Sequence, residues 1–171
     1  RGILRSLLGR YLAHRPDQLV FSYGLHGKPG LAGGVDEWLS FNVSHSAGLV
    51  VFAVSNGFEV GVDIEEIHPI IDLEATASIF LSPVEFAEFK VMPDDGKLER
   101  FFTMWTCKEA ILKALGSGFT SPVKEISAMD CQPDPQVDAQ NMTFQNKQIT
   151  SLYPAEGFMG ALACMQPLSK E

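Results

Sequence analysis

Leu49-Val50-Val51-Phe52-Ala53-Val54-Ser55-Asn56-Gly57-Phe58-Glu59-Val60-Gly61-Val62-Asp63-Ile64-Glu65 is the stretch from which the fold is read. Its first half is a β-branched and aromatic run. Asn56-Gly57 is the strongest short signal for a two-residue hairpin turn, and the second half alternates in polarity. The expectation is a β-hairpin. Side chains along a strand point to opposite faces in turn, so Val60, Val62 and Ile64 share one face while Glu59, Gly61, Asp63 and Glu65 share the other. Asp63 and Glu65 then project side by side from a rigid element, about 7 Å apart.

Working outward toward the start of the chain, Asn42-Val43-Ser44-His45-Ser46 is dense in small hydrogen-bonding groups. It reads as a turn or cap, with His45 as a phosphate donor the functional option. A serine-hydrolase reading is poor because there is no Gly-x-Ser-x-Gly elbow. Residues 23–34 are rich in glycine and read as irregular loop. Ile3, Leu4, Leu7, Leu8, Tyr11 and Leu12 recur at helical spacing, so the chain opens with an amphipathic helix that Pro16 ends.

Toward the other end, residues 72–80 read as helix, and Ser82-Pro83-Val84-Glu85 has the form of a helix start, with Ser82 as N-cap and Glu85 three residues on. Over residues 100–115, Phe101, Met104, Trp105, Ile111, Leu112 and Leu115 form an apolar stripe that Gly116 terminates. Glu109 and Lys113 lie together on its edge, whereas Lys108 falls near its middle. Runs near residues 125–131, 142–153 and 158–165 read as strands of an antiparallel sheet. The fold class is therefore α/β in the broad sense, of the α+β kind.

The net charge of -8 argues against nucleic acid as a partner, since duplex binding needs a cationic surface. No apolar run approaches the roughly 20 residues that cross a bilayer. Cys107, Cys131 and Cys164 are widely separated and lack zinc-ligand spacing, so they are expected to be reduced core residues in a cytoplasmic protein. Between Lys28 and Lys90 there is no Lys or Arg, and ten acidic residues fall in that gap, which makes either a solvated acidic face or a site awaiting a cation. Asp63, Glu65 and Glu109 offer three hard oxygen ligands suited to Mg2+; by spacing alone, a solvent-exposed polar face of a half-buried strand is the more ordinary reading of Asp63 and Glu65. Lys108 in an apolar stripe must snorkel to water or meet an anion. Lys113, four residues from Glu109, is either a surface ion pair or a diphosphate ligand beside a metal.

Four segments taken together, Gly27-Lys28-Pro29, Phe41-Asn42-Val43-Ser44-His45-Ser46, Gly61-Val62-Asp63-Ile64-Glu65 and Trp105-Thr106-Cys107-Lys108-Glu109-Ala110 with Lys113, resemble in order and spacing the 4'-phosphopantetheinyl transferases of the larger, monomeric kind that activate peptide and polyketide synthases. The resemblance implies two similar lobes related by a pseudo-twofold, each an antiparallel sheet with packed helices, divided as residues 1–60 and 61–171. Coenzyme A would lie in the cleft between them. It further implies that Asp63, Glu65 and Glu109 bind Mg2+ and that Lys113 meets the diphosphate. Lys108, Ser44 and His45 would contact phosphates of the nucleotide half, and Lys28 and Pro29 would lie along the adenine. Glu85 matches the family's general base for the carrier serine, although it also fits a capping box.

The implied partner is an acyl or peptidyl carrier protein, met by a monomer in the cytoplasm. An exposed apolar patch is the expected docking surface, for which Phe86, Phe89 and Met92 are candidates if they are not core. The family pattern begins with a further N-terminal segment, so the chain is expected to start inside a lobe, with Arg1, Arg5 and Arg10 as phosphate contacts. Two other readings of the same residues stand beside this one: a magnesium-dependent diphosphate hydrolase, and a non-catalytic module that binds coenzyme A or a carrier.

Overall fold

The hairpin expected across Asn56-Gly57 does not form, and the reason fixes the architecture. In the computed structural model, which describes residues 2–34, 38–118, 122–129, 131 and 148–165, strand β4 (Leu49–Asn56) pairs with the preceding strand β3 (Leu39–Ser46). The register runs antiparallel from Leu39 opposite Asn56 to Ser46 opposite Leu49. Their turn is Ala47-Gly48, both at positive φ, the backbone that a tight two-residue hairpin needs. Asn56-Gly57 instead carries the chain into another sheet. Strand β5 (Glu59–Glu66) pairs antiparallel with β7 (Phe158–Met165), which also pairs with β6 (Gln148–Leu152), in the order β5-β7-β6. A short antiparallel pair, β1 (Phe21–Tyr23) with β2 (Pro29–Leu31), sits within the glycine-rich segment.

Among the described residues four α-helices complete the α+β fold: α1 (Gly2–Leu12), α2 (Leu73–Phe80), α3 (Pro83–Val91) and α4 (Asp94–Leu115). Their ends follow local chemistry. Asp72 caps α2 by accepting from the Ala75 amide, and Ser82 and Glu85 form the anticipated capping box of α3. Gly116, at φ +66°, closes α4 in the left-handed conformation that a side chain would oppose. Helix α4 starts six residues earlier than its apolar stripe predicts and is buried on nearly every face from Phe101 to Ala114. It is the post around which the second half of the molecule is built.

Its contact with β5 depends on Gly61: a Cβ there would fall inside the backbone of Ala110 and Ala114. Strand and helix thus touch main chain to main chain, and the Val60 and Val62 side chains on the other face join Ala53, Leu152 and Cys164 in a buried cluster. That cluster bridges β4 to the β5-β7-β6 sheet. A second cluster, Leu8, Leu12, Leu19, Leu39 and Phe41, closes the first half of the chain. The largest gathers α2, α3, α4 and β7 around Phe80, Phe89, Phe101, Phe102 and Met159. Phe89 is in this core, and Phe86 and Met92 pack against it, which settles the choice left open for those three in favour of packing.

Two expectations are corrected near the C-terminus. Of the run at 125–131, the described residues 125–129 and 131 form no strand; Val123–Glu125 is a single 3-10 turn, and the segment is tied down by contacts to α3 and α4 rather than by a ladder. Cys107 and Cys131 are not separate thiols but a disulfide with Cα atoms 6.4 Å apart, and Cys164 alone is free and buried. The strand expected from residue 142 begins at Gln148, and residues 142–147 lie outside the described residues. Among the described residues no helix is long and apolar enough to cross a membrane.

Candidate active site

The approach of β5 to α4 at Gly61 brings the acidic face of the strand onto one stripe of the helix. Trp105, Glu109 and Lys113, spaced four apart, present that stripe. Together with Val43, Ser44, His45, Asp63 and Glu65 they enclose a cavity of about 360 Å³. Lys113 Nζ donates to Asp63 Oδ1 at 2.6 Å, to Ser44 Oγ at 3.1 Å and to the Val62 carbonyl at 3.2 Å. Asp63 is only 4% exposed, and its second oxygen, Oδ2, is buried with no hydrogen-bond partner. Burial pushes the Asp63 carboxyl above its ordinary value even though Lys113 and Ser44 pull the other way.

Glu109 shows the same pressure more strongly. Burial first, then the Asp63 charge, with a smaller push from Glu65, lift its carboxyl to about 7 against the opposing pull of Lys113. Glu65 is half-buried and accepts from Ser46 Oγ at 3.0 Å. Three carboxylates facing one cavity with a single ammonium among them form a site short of positive charge.

A second cavity of about 310 Å³ shares Val43, Glu109 and Lys113 with the first and extends to Lys28 and Pro29. The two make one continuous cleft. Lys28 Nζ bonds Glu59 Oε2 at 2.5 Å and the Ala114 carbonyl at 2.6 Å, so its head is anchored while its stem and Pro29 line the wall. His45 is exposed on β3 and lines the carboxylate end. Of the residues singled out from sequence, Asp63, Glu65, Glu109, Lys113, Ser44, His45, Lys28 and Pro29 are therefore gathered along this cleft.

Two others are not. Lys108 projects from another side of α4 into the protein, where its Nζ bonds Glu85 Oε2 at 2.8 Å and the carbonyls of Ile126 and Val123 at 2.6 and 3.1 Å. Both side chains of this pair are at most 2% exposed. Glu85 also accepts from the Ser82 and Ala128 amides, which engages both of its oxygens. Burial would raise the Glu85 carboxyl, but these donors, Lys108 foremost, overcome it and hold the carboxyl below its ordinary value. Burial pulls Lys108 down in spite of Glu85. The structure does not bring Glu85 and Lys108, expected as general base and phosphate contact, to this cleft as it brings the others. The anion that Lys108 needed is Glu85, and neither group faces the cleft.

Arg5 is likewise engaged elsewhere, donating to the Pro16 and Leu19 carbonyls and lying 4.8 Å over the Phe21 ring, while Arg1 is outside the described residues. Asn42 and Ser46, to which the sequence gave no role of their own, bond β5 directly. The signal was available: Ser40, Asn42, Ser44 and Ser46 alternate with apolar residues and His45 at period two, the mark of a strand with one polar face.

The donor chemistry fits a hard divalent cation. The side chains offered are all carboxylates, and the unpartnered Asp63 oxygen lacks the positive partner that such a buried atom needs. As the side chains stand, the Lys113 ammonium takes part of that role, and among the described residues no three His, Cys, Asp or Glu side chains are drawn close enough together to form a ready metal centre.

Residues 59–156, more than half the chain, match the family model of the 4'-phosphopantetheinyl transferase superfamily. The chain is 38% identical to the 4'-phosphopantetheinyl transferase HetI of Nostoc sp., over 95% of this chain and 68% of that protein. It is 32% identical to the 4'-phosphopantetheinyl transferase gsp of Aneurinibacillus migulanus, over 91% of this chain and 65% of that protein. With the 4'-phosphopantetheinyl transferase AcpT of Escherichia coli it shares 38% identity over 66% of this chain and 55% of that protein. The chain thus spans between about half and about two thirds of the length of these relatives.

Proposed function

We propose, from the premise that this chain belongs to the 4'-phosphopantetheinyl transferase superfamily, that it transfers the 4'-phosphopantetheine arm of coenzyme A to a serine of an acyl or peptidyl carrier protein and releases 3',5'-ADP. The observation that carries the reading is the continuous cleft in which Lys113 and the electron-rich set Asp63, Glu65 and Glu109 adjoin the wall made by Lys28 and Pro29. Those carboxylates would hold Mg2+, which supplies charge neutralisation at the coenzyme A diphosphate.

The chain's own residues divide the remaining work. Lys113 is the one cleft ammonium within reach of both Asp63 and the cavity, so it is assigned to the diphosphate and to the charge that develops on the departing 3',5'-ADP. The carrier hydroxyl forms its bond to the pantetheine-side phosphorus as the diphosphate P–O bond to 3',5'-ADP breaks, its proton passing to water or to a cleft carboxylate, and no covalent enzyme intermediate is needed. His45 and Ser44 border the phosphate end, and Lys28 with Pro29 the adenine end. Trp105, braced edge-on against Phe80 with ring centroids 5.1 Å apart, is a rigid wall over the carboxylates. The reading includes a monomeric, cytoplasmic enzyme with two lobes divided near residue 60.

Intact mass of an apo carrier protein incubated with this chain, coenzyme A and Mg2+ tests the proposal. One added arm, lost on chelation, is the expected result. Release of a cleaved coenzyme A with no change in the carrier would instead identify a hydrolase, and coenzyme A binding without either product would identify a binding module.

A further inference from the structure

Strand β5 has one edge paired with β7 and another that makes no backbone ladder with the strand beside it, β3. An edge strand within a protein must still satisfy the amides that point outward. On this edge three consecutive ones, those of Val62, Ile64 and Glu66, are each met by a side chain of β3. The Val62 amide donates to Asn42 Oδ1 at 3.0 Å, the Ile64 amide to Ser44 Oγ at 3.2 Å and the Glu66 amide to Ser46 Oγ at 3.1 Å. The spacing is two residues on both strands, so three consecutive rungs are in register without a backbone ladder.

The two serine rungs do something more. Ser44 Oγ, while accepting from Ile64, donates to Asp63 Oδ1 at 3.1 Å, and Ser46 Oγ, while accepting from Glu66, donates to Glu65 Oε2 at 3.0 Å. Each hydroxyl thus spends its acceptor on the amide of one β5 residue and its single proton on the carboxylate of the residue before it. Ser44 also receives Lys113 Nζ at 3.1 Å. A hydroxyl fixed by a backbone donor has no freedom to rotate, so the carboxylate it bonds is held in one orientation.

We infer that Asn42, Ser44 and Ser46 form a side-chain ladder that stands in for a missing backbone ladder along β5, and that Ser44 and Ser46 are positioning residues that aim Asp63 and Glu65 into the cleft. The aiming part rests on the metal reading proposed above; the ladder itself does not. Ser44 is thereby moved from a phosphate contact to a support of the carboxylates, and Ser46 gains a role. A hydroxyl that orients a ligand carboxylate contributes about ten-fold or more to metal affinity, and serine or threonine serves, since both offer one donor and an acceptor on a strand-compatible backbone.

Two measurements decide it. In the metal-free protein, amide hydrogen exchange should accelerate at least about ten-fold at Glu66 in Ser46→Ala and at Ile64 in Ser44→Ala, each leaving the other rung protected. Uniform acceleration along β5, or none, would overturn the ladder. Binding of Mn2+ followed by electron paramagnetic resonance should weaken about ten-fold in Ser46→Ala and recover in Ser46→Thr. Unchanged Mn2+ affinity in Ser46→Ala, with exchange accelerated, would overturn the aiming role and leave Ser46 a strand partner only. Should Ser44→Ala fail to fold, Asn42→Ala against Ser46→Ala carries the exchange comparison, with acceleration expected at Val62 alone. If the unaltered protein takes no Mn2+, the metal reading and the aiming role fall together, while the exchange pattern still decides the ladder on its own.

Discussion

Of the three lysines on helix α4, Lys108 and Lys113 lie five residues apart and each meets a buried carboxylate, yet Lys108 with Glu85 and Lys113 with Asp63 are opposite kinds of structure. In the first pair every donor and acceptor named is taken: Glu85 by Lys108, Ser82 and Ala128, and Lys108 by Glu85, Val123 and Ile126. In the second, Lys113 is 29% exposed at a cavity wall and Asp63 keeps a buried oxygen without a partner. A closed pair is a fastener, here between α3, α4 and the segment from Val123 to Ala128. An open one is a place where a ligand completes the bonding. Sequence proximity to the Trp105–Lys113 motif suggested the same chemistry for both lysines, and burial separates them.

The sharpest way to break the comparison is to remove one member of each pair. Glu85→Ala leaves the Lys108 charge buried without its partner, and unfolding in urea should show a loss of about 3–5 kcal/mol. Lys113→Ala should cost clearly less than Glu85→Ala, because Lys113 is 29% exposed and the Asp63 carboxyl left behind, already raised by burial, takes up a proton instead of staying charged. Similar losses in both variants would erase the distinction. Activity should run the other way. Lys113→Ala and Asp63→Asn should each lower carrier modification by about 10²–10³-fold, the scale of losing one electrostatic contact to developing charge, with folding intact by circular dichroism.

Titration sharpens the contrast through its sign. Glu109 has a carboxyl raised from 4.5 to about 7, so the stability it contributes is full below about pH 4.5 and is lost as pH rises through about 7. Glu85 has a carboxyl lowered from 4.5, so its contribution is present above that value and is lost as pH falls through the lower folded value. Thermal midpoints of the metal-free protein should therefore fall between pH 5 and 8 in a way that Glu109→Gln removes, by an amount worth about 2 kcal/mol. A flat profile in the unaltered protein would contradict the crowding of charge assigned to the open cluster. The smallest expected effect is at the cap that positions the closed pair: Ser82→Ala should cost about 1 kcal/mol by the same urea measurement and spare coenzyme A binding.

Much of the architecture was legible because it is written locally. The capping box at Ser82, the left-handed close of α4 at Gly116 and the alternation that turns Asp63 and Glu65 to one face each depend on residues within a few positions of one another. The failures are all cases where a partner lies far along the chain. Asn56-Gly57 has the chemistry of a hairpin turn, but β5 is claimed by β7, about a hundred residues on, through the fit of Gly61 against α4. Residues 42–46 read as a turn or cap because the polar face of β3 is turned to β5 rather than to water. Glu85 and Lys108 are 23 residues apart, and Cys107 and Cys131 are 24, distances at which no periodicity speaks. The site residues of the cleft came from a resemblance in four segments; what spacing alone offered was a pair of carboxylates with a more ordinary explanation.

The most direct test sets the two pairs against each other in one assay: intact mass of an apo carrier protein after incubation with coenzyme A, Mg2+ and either Glu85→Gln or Lys113→Ala, each held below its own unfolding midpoint. If the open pair is the site and the closed pair its frame, Glu85→Gln adds the arm at a rate within about ten-fold of the unaltered protein, while Lys113→Ala falls by two orders of magnitude or more. Loss of transfer in folded Glu85→Gln, with transfer retained in Lys113→Ala, would contradict the account and return Glu85 to the chemistry.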